Sequence, residues 1–236
     1  MLYIKKCNYT VSLTQAFTDY DIQALYDRSC YGKFEVKDRY LITQLTYLTL
    51  SLTEQNLLKL HNVINEHGEV YKKWTLPAAY TRNNSERVIE VPEVYCQALE
   101  KYLKWYVQQD IPDKYRHNLN TYLGFKQKAP VLLNDRVEEF AMSERVVKNG
   151  INKQPTNLRN KVNKLLNKAG LEWATPKTFF DSLIVNLARN NADIGQIVSA
   201  FGLSSRQVVL DKVNGSLLGL SDAINVVYSR IKVTGH

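Results

Sequence analysis

Apolar residues at helical spacing dominate the first sixty residues of the chain. In the segment FTDYDIQAL, Thr18 stands where an N-cap is expected, two aspartates follow in the first turn, and Ile22 and Leu25 share one face. The segment VKDRYLITQLTYLTLSLTEQNLLKL is mostly apolar, with polar interruptions at intervals of three and four residues. This pattern predicts a first helix, then a buried helix, a short turn near Ser51 and a further helix that reaches about Leu60.

The spacing changes in the segment GEVYKKWTLPAAYTRNNSERVIEVP. Val70, Trp74 and Leu76 lie in a strand-like run, and the residues at 82–85 have the composition of a turn. The run RVIEV then alternates between apolar and polar residues until Pro92 ends it. A small antiparallel sheet or hairpin is therefore predicted here.

Helical spacing returns in the segment VYCQALEKYLKWYVQQ. Its apolar face is formed by Tyr95, Leu99, Tyr102, Leu103 and Tyr106. Residues 110–155 show the weakest pattern, in which only KAPVLLN predicts a short extended segment or strand. No domain boundary is convincing in this stretch, so one domain is predicted.

The C-terminal part predicts a series of helices. Thr156 and Asn157 are expected to cap a helix that ends at Gly170. Its apolar stripe is formed by Leu158, Val162, Leu165 and Leu166. Further helices are predicted over residues 178–190, 194–201, 204–213 and 220–231. The first of these should direct inward the apolar residues Phe179, Phe180, Leu183, Ile184 and Leu187. The whole pattern predicts a mostly helical α+β fold.

Composition excludes several classes of protein. No run of 18 apolar residues occurs, and the first fifteen residues lack an apolar stretch long enough for a signal peptide, so we expect a cytoplasmic protein, in the bacterial cytosol or nucleoid. The three cysteines, Cys7, Cys30 and Cys96, are odd in number, widely spaced and without a neighbouring histidine. These features argue against a zinc site or a disulfide framework. We expect no metal and no cofactor.

The positive charge lies in the C-terminal half. The formal net charge is +8, and residues 111–236 carry 18 Lys and Arg against 10 Asp and Glu, whereas residues 1–110 carry 13 of each. A basic stripe within residues 144–168 consists of Arg145, Lys148, Lys153, Arg159, Lys161, Lys164 and Lys168. Such a stripe attracts polyanions and favours double-stranded DNA as the partner, although a solvated helix face would look the same.

Four segments, in this order, resemble the catalytic domain of the tyrosine recombinase (phage integrase) family. They are TDYDIQALYDRS, KDRYLITQLTYLTLSLTEQNLLKL, GEVYKKWTLPAAYTRNNSERVIEVP and ATPKTFFDSLIVNLARNNADIGQIVSAFGLSSRQVVLDKV. They resemble the opening helix of the family, its T-G-x-R-x-x-E-type box, its sheet with the lysine turn, and its H-x-x-R helix with the G-H turn. The resemblance runs from about Phe17 to Val213 and implies a small three-stranded antiparallel sheet. It assigns residues 1–16 to an extension and 214–236 to a C-terminal helix, with no separate N-terminal clamp domain.

The resemblance also implies a chemistry, which is phosphoryl transfer without a metal. In the family a tyrosine attacks the scissile phosphate, two arginines and a histidine stabilise the developing charge, and a lysine protonates the leaving oxygen. Arginine suits this role because its guanidinium donates two parallel hydrogen bonds and never loses its charge.

The matched positions in this chain hold different residues. The first arginine falls on Ser51, with Glu54 keeping the following acid, and the turn lysine falls near Arg82. In TPKTFFD the histidine becomes Lys177 and the second arginine becomes Phe180. The G-H histidine becomes Leu203, with Gly202 keeping the turn, and the tyrosine position holds Lys212.

The resemblance therefore implies that strand cleavage is lost. Loss of one such donor costs roughly 3–4 kcal/mol in well-studied sites, so loss of two costs on the order of 10⁴-fold or more. Contact with the DNA backbone could persist without cleavage. The residues expected to provide it are Arg82, Lys153, Arg159, Lys161, Lys164, Lys177, Arg206 and Lys212. Changing Arg159, Lys161 and Lys164 together to Glu is expected to abolish binding.

Three functions follow as hypotheses. The first is a DNA-binding regulator, or an accessory, replication or partition factor of a mobile element, with half a clamp that needs a dimer or a partner. Dimerisation could use the C-terminal helix from Leu220. The second is an active site-specific recombinase with a rearranged site, in which Tyr228, 26 residues past Gly202, would act by folding back or from a neighbouring molecule. The third is a protein-interaction module without DNA binding.

Overall fold

The computed structural model describes residues 15–81, 83–147 and 150–215, and these ranges are mostly helical. The helices are α1 (Asp19–Ser29), α2 (Glu35–Tyr47), α3 (Leu52–Leu57), α4 (Leu60–Val63), α5 (Glu93–Val107), α6 (Thr156–Ala169), α7 (Pro176–Arg189), α8 (Ile194–Phe201) and α9 (Arg206–Gly215). The strands are β1 (Lys73–Leu76), β2 (Arg87–Glu90), β3 (Ser143–Val147) and β4 (Gly150–Gln154). The mostly helical α+β prediction is confirmed. The predicted helix from Leu220 lies outside the described residues.

The first helix begins as predicted. Thr18 accepts a hydrogen bond from the backbone N–H of Asp21, whose carboxylate accepts one from the backbone N–H of Thr18 at 2.8 Å. This reciprocal capping box satisfies two donors that a helix start otherwise leaves free.

The second helix of the predicted pair is shorter than expected. The predicted turn near Ser51 is present, but α3 ends at Leu57 and a separate turn of helix, α4, follows. The reason is a competing contact between chain segments. The carbonyl of Leu58 accepts from Val131, and the N–H of Leu60 donates to Ala129, so this backbone pairs with the segment around Pro130 instead of continuing the helix.

The predicted three-stranded sheet is wrong in its strand number. Within the described residues β1 pairs with β2 alone, antiparallel, with Trp74 opposite Ile89. Upstream, Ile64 and Val70 form only an isolated bridge. The residues directly before Ile64, Leu60–Val63, form the helical turn α4, so they do not extend this bridge into a third strand.

Residues 110–155 contain a hairpin that the pattern does not predict. Strands β3 and β4 pair antiparallel, with Val147 opposite Gly150. The KAPVLLN segment, predicted to be extended or a strand, is mostly buried but consists of turns and bends, with isolated bridges at Pro130 and Leu133. The hydroxyls of Tyr102 and Tyr106, on α5, donate to the carbonyls of Val131 and Pro130, which explains how its backbone is satisfied away from water.

A main core runs through most of the described chain. All five residues predicted for the face of α5 are buried, and so is the predicted stripe of α6. Helix α6 starts at Thr156 with Pro155 at the N-cap and no side-chain cap bond, so the predicted capping by Thr156 and Asn157 is wrong. The end at Gly170, at φ +79°, is confirmed. Cys30 and Cys96 are buried free thiols, while Cys7 lies outside the described residues.

A second, smaller cluster joins α7, α8 and α9. Its buried members are Ile184, Ile197, Phe201 and Val209. Helix α7 lies between the two cores, with Phe179 in the main core and Ile184 in the second one. Three residues predicted to point inward, Phe180, Leu183 and Leu187, are only half-buried against the second cluster. No helix within residues 15–81, 83–147 and 150–215 is long and apolar enough to cross a membrane.

Candidate functional site

Asp181 joins two positions that the resemblance assigns to catalytic residues. Its side chain, 9% exposed, accepts from Lys177 one turn earlier on α7 and from Lys212 on α9, each at 2.6 Å. Lys212 is 16% exposed, whereas Lys177 is 72% exposed. The matched histidine and tyrosine positions are thus bridged by one nearly buried carboxylate, which neutralises part of their positive charge.

Phe180, in the place of the second arginine, belongs to the smaller core. Its ring meets that of Phe201 edge to face, with ring centroids 5.0 Å apart. Such a contact stabilises the packing of α7 on α8 and offers no hydrogen-bond donor to a phosphate.

Ser51, in the place of the first arginine, caps a helix. Its hydroxyl accepts from the backbone N–H of Glu54, and the Glu54 carboxylate accepts from the backbone N–H of Ser51 at 2.7 Å. Serine is among the best residues for this role, so Ser51 has a structural role at this helix start.

A guanidinium still lies beside this helix start, but it comes from another element. Arg87, on β2, donates to both carboxylate oxygens of Glu54, at 2.8 and 2.7 Å, and to the carbonyl of Thr49 at 3.1 Å. Both side chains of the pair are more than 90% buried. The charge of Arg87 is therefore compensated inside the protein, and its Nε is buried without a hydrogen-bond partner.

The Gly202 turn packs against the same arginine. Gly202 ends α8 at φ +60°, and a Cβ there would lie 2.9 Å from an Nη atom of Arg87. Both the left-handed backbone and this close approach require glycine. Leu203, in the place of the G-H histidine, follows directly and packs against the smaller core.

An open cleft of about 600 Å³ lies between this turn and the β1–β2 hairpin. Its described lining is Thr75, Asn83, Ser85, Glu86, Arg87, Val88, Val198, Ser199, Gly202 and Leu203. No tyrosine or histidine is among these residues. Arg82, matched to the turn lysine, lies outside the described residues.

No protein-family model and no curated protein sequence matches the chain. Solved structures do match it. The crystal structure of the XerA recombinase aligns with a TM-score of 0.61 at 16% identity, over 93% of this chain and 64% of that one. The Tn1549 transposon integrase in complex with transposon right end DNA aligns with a TM-score of 0.59 at 12% identity, over 92% and 66%.

A third match is the XerH site-specific recombinase bound to its difH substrate, with a TM-score of 0.56 at 13% identity, over 91% of this chain and 54% of that one. The chain has the fold of a tyrosine recombinase catalytic domain. It spans between 54% and 66% of the length of these three structures.

The basic stripe of this recombinase fold contains exposed and partnered cations. Lys164 and Lys168 are exposed on α6, and Arg159 is exposed with a 3.4 Å contact to Gln154. Lys153 is exposed on β4, where it pairs with Glu144 at 3.3 Å. Lys148 and the side chain of Arg145 lie outside the described part of the chain.

Lys161 differs from the other residues of the stripe. Its amine donates to Asp38 at 2.8 Å and to Asp135 at 3.0 Å, and its side chain is 12% exposed. Burial alone would lower the pKa of Lys161, but its hydrogen bonds to Asp38 and Asp135 hold the pKa above its usual value. Lys37 also donates to Asp135. DNA contact by Lys161 stays a prediction, and its charge already has partners in the protein.

Arg206 lies at the start of α9, exposed to solvent. Its guanidinium approaches the first turn of α8, where an Nη atom would lie 3.1 Å from a Cβ on Gly195. It forms no ion pair with the residues that the structure describes. Phosphate contact by Arg206 and by Lys177 stays a prediction.

We expect the free energy of unfolding to fall as the pH drops below about 4, partly through Asp135 and Glu139. Burial raises the pKa of each carboxyl, but hydrogen bonds from Lys37 to Asp135 and from Lys59 to Glu139 outweigh this effect and hold both pKa values below the usual range. The folded state therefore stays ionised where the unfolded chain, with ordinary values near 4, binds protons. This stabilisation is complete above the unfolded pKa and is lost as the pH falls through the folded one.

Urea unfolding between pH 7 and pH 2.5 measures this dependence. The Asp135→Asn variant, which has no carboxyl to protonate, should show a shallower loss of stability below pH 4 than the unchanged protein. Equal slopes would contradict the assignment to Asp135.

Proposed function

We propose that this chain binds double-stranded DNA through the basic stripe and does not cleave it. The observation that carries the proposal is the ion-paired group of Lys177, Asp181 and Lys212. In the recombinase fold, the matched positions would hold the scissile phosphate and deliver the nucleophile. Here two lysines stand at those positions, and both are ion-paired to Asp181, which offsets part of the positive charge that would otherwise hold a phosphate.

Lys212 is a poor substitute for the tyrosine. Its amine is held by Asp181 at 2.6 Å, and this ion pair would have to break before the nitrogen could approach a phosphorus atom. Arg87, which lines the cleft, is already compensated by Glu54. These features together support a DNA-binding protein without transesterification chemistry.

DNA binding is supported by charge and by fold. The excess of 18 basic over 10 acidic residues lies in the C-terminal half, where α6 carries the exposed Arg159, Lys164 and Lys168. XerH is described as bound to its difH substrate and the Tn1549 integrase as in complex with transposon DNA. We propose that the chain acts as a regulator or as an accessory, replication or partition factor of a mobile element.

Two experiments test the proposal. The first is a salt titration of binding to a mixed duplex library, and the second incubates the protein with nicked suicide versions of the retained duplexes to trap any covalent adduct. We expect retention that weakens steeply as salt rises, and no covalent protein–DNA band on a denaturing gel. A covalent band would establish an active recombinase, and its disappearance in a Tyr228→Phe variant would identify the nucleophile. Absence of retention at low salt would favour the protein-interaction module.

A further inference from the structure

Helix α6 has an unusual surface for a solvent-facing helix. It contains no acidic residue, and outside its buried stripe it has only amides, cations and one threonine. Its four asparagines are Asn157, Asn160, Asn163 and Asn167, and we call them the amide stripe. Its four cations are Arg159, Lys161, Lys164 and Lys168. Surface helices are ordinarily supported by pairs of opposite charge four residues apart, and this helix has none.

The presence of four asparagines in the amide stripe is not explained by a contribution to the stability of the fold. Asparagine is among the poorer helix formers, because its side chain competes for backbone hydrogen bonds. No side chain of the stripe hydrogen-bonds to another described residue. Other asparagines do make such bonds, namely Asn56, Asn62, Asn65, Asn134 and Asn186. The donors and acceptors of the stripe therefore remain available to a partner.

The stripe occupies the outermost part of the helix. At 3.6 residues per turn, Asn160, Lys164 and Asn167 point directly away from the buried stripe, with Asn157 and Asn163 beside them. Arg159 lies on one flank, and Lys161 and Lys168 lie on the other. A helix of this kind presents hydrogen-bonding amides and Lys164 along its centre and further positive charges at its edges. The 14-residue helix is about 21 Å long, and the major groove of DNA is about 12 Å wide, which admits one helix.

We infer that the amide stripe reads adenines in the major groove of DNA. An asparagine side chain donates to N7 and accepts from N6 of adenine in a bidentate pair, while lysine and arginine suit phosphates and guanine. Asn160 and Asn167 are seven residues apart, about 10 Å along the helix, or roughly three base-pair steps. The target is therefore a short site with adenines about three steps apart. This inference rests on the proposed DNA binding and adds its specificity.

The test compares the unchanged full-length chain with an Asn160→Ala/Asn167→Ala variant. Alanine is a better helix former, so α6 should be retained, which far-ultraviolet circular dichroism can check. The matched control is Asn118→Ala/Asn120→Ala, which removes two exposed amides from a loop. Each protein is bound to a randomised duplex library at moderate salt, and the retained fraction is sequenced. The affinity for the enriched site is then measured beside that for mixed DNA.

We expect the unchanged protein and the control to enrich a site with spaced adenines. The α6 variant should lose roughly 5- to 150-fold in affinity for that site per asparagine, and keep its affinity for mixed DNA at low salt. Replacing the adenines by 7-deazaadenine should weaken binding by the unchanged protein and by the control, but not binding by the α6 variant. Enrichment of a site without adenines would overturn the inference and leave DNA binding intact. The same would follow if the α6 variant and the unchanged protein bound the enriched site with equal affinity. No retention of any duplex would overturn both.

Discussion

Replacement of Arg87 by methionine is expected to lower the free energy of unfolding by about 3–5 kcal/mol. The change removes both hydrogen bonds to Glu54 and leaves a carboxylate more than 90% buried without its counter-charge. Removing one partner of a buried ion pair has this cost because the other charge stays desolvated. Chemical unfolding of the two proteins at neutral pH measures the difference.

Two further variants make the Arg87 prediction specific. Lys73→Met removes the partner of Glu90 from an ion pair with side chains 64% and 80% exposed, and should change stability by no more than about 1 kcal/mol. Glu54→Gln combined with Arg87→Met removes both charges, so this double variant should be more stable than Arg87→Met alone. If Arg87→Met behaved like Lys73→Met, the pair would not hold α3 and β2 together as inferred.

The periodic elements could be predicted from the sequence because their signals are local. The apolar face of α5 consists of residues three and four positions apart, and each of them is buried. The cap of α1 at Thr18 depends only on residues within one turn. Such features need no knowledge of distant contacts.

Elements that depend on pairing across the chain were predicted less well. The apolar KAPVLLN segment resembles a strand, yet its backbone is satisfied by tyrosine hydroxyls of α5 that lie 24 and 29 residues earlier. The β3–β4 hairpin has polar residues on both faces and so shows no clear alternation. The dipeptide Asn149-Gly150 was a weak local signal, since this pair marks turns in sequences, although Gly150 itself is the first residue of β4 and pairs with Val147.

The candidate site, too, could be predicted only where its features depend on local sequence. Its matched positions rest on motif order and stay a prediction, and the ion-pair partners that define the charge there could not be predicted from the sequence. Asp181 meets Lys212 across 31 positions, and Arg87 meets Glu54 across 33. Both partnerships depend on how helices and strands pack. A weak signal existed for Asp181, which is the one acid of α7 and lies one helical turn after Lys177.

The ion pairs divide the predicted DNA-binding cations into two groups. Lys161 and Lys212 are mostly buried and held by carboxylates, so their charges already stabilise the fold. Arg159 and Lys164 are exposed on the outer surface of α6 without an ion pair to a described residue. A test of DNA binding should therefore change only the exposed group. Changing Lys161 to Glu would place a third carboxylate beside Asp38 and Asp135 and destabilise the protein itself.

Changing Arg159 and Lys164 together to Glu is expected to lower DNA affinity at least about 100-fold near physiological salt. Each substitution removes a charge-assisted hydrogen bond to phosphate, worth about 1.5–3 kcal/mol, and adds a repulsive charge. The slope of log affinity against log salt should fall by about two, one unit for each lost phosphate contact. Thermal unfolding should be nearly unchanged, because both side chains are exposed.

The matched control for this pair is Lys101→Glu/Lys104→Glu, two exposed lysines of α5. It lowers the net charge by the same amount, so it measures how much binding depends on the overall charge of the protein instead of on one surface. If DNA contacts α6, the control should keep most of the affinity and nearly the full salt slope, because it removes no phosphate contact. Equal losses in the two variants would contradict a localised interface, and the basic stripe would then contribute only long-range attraction.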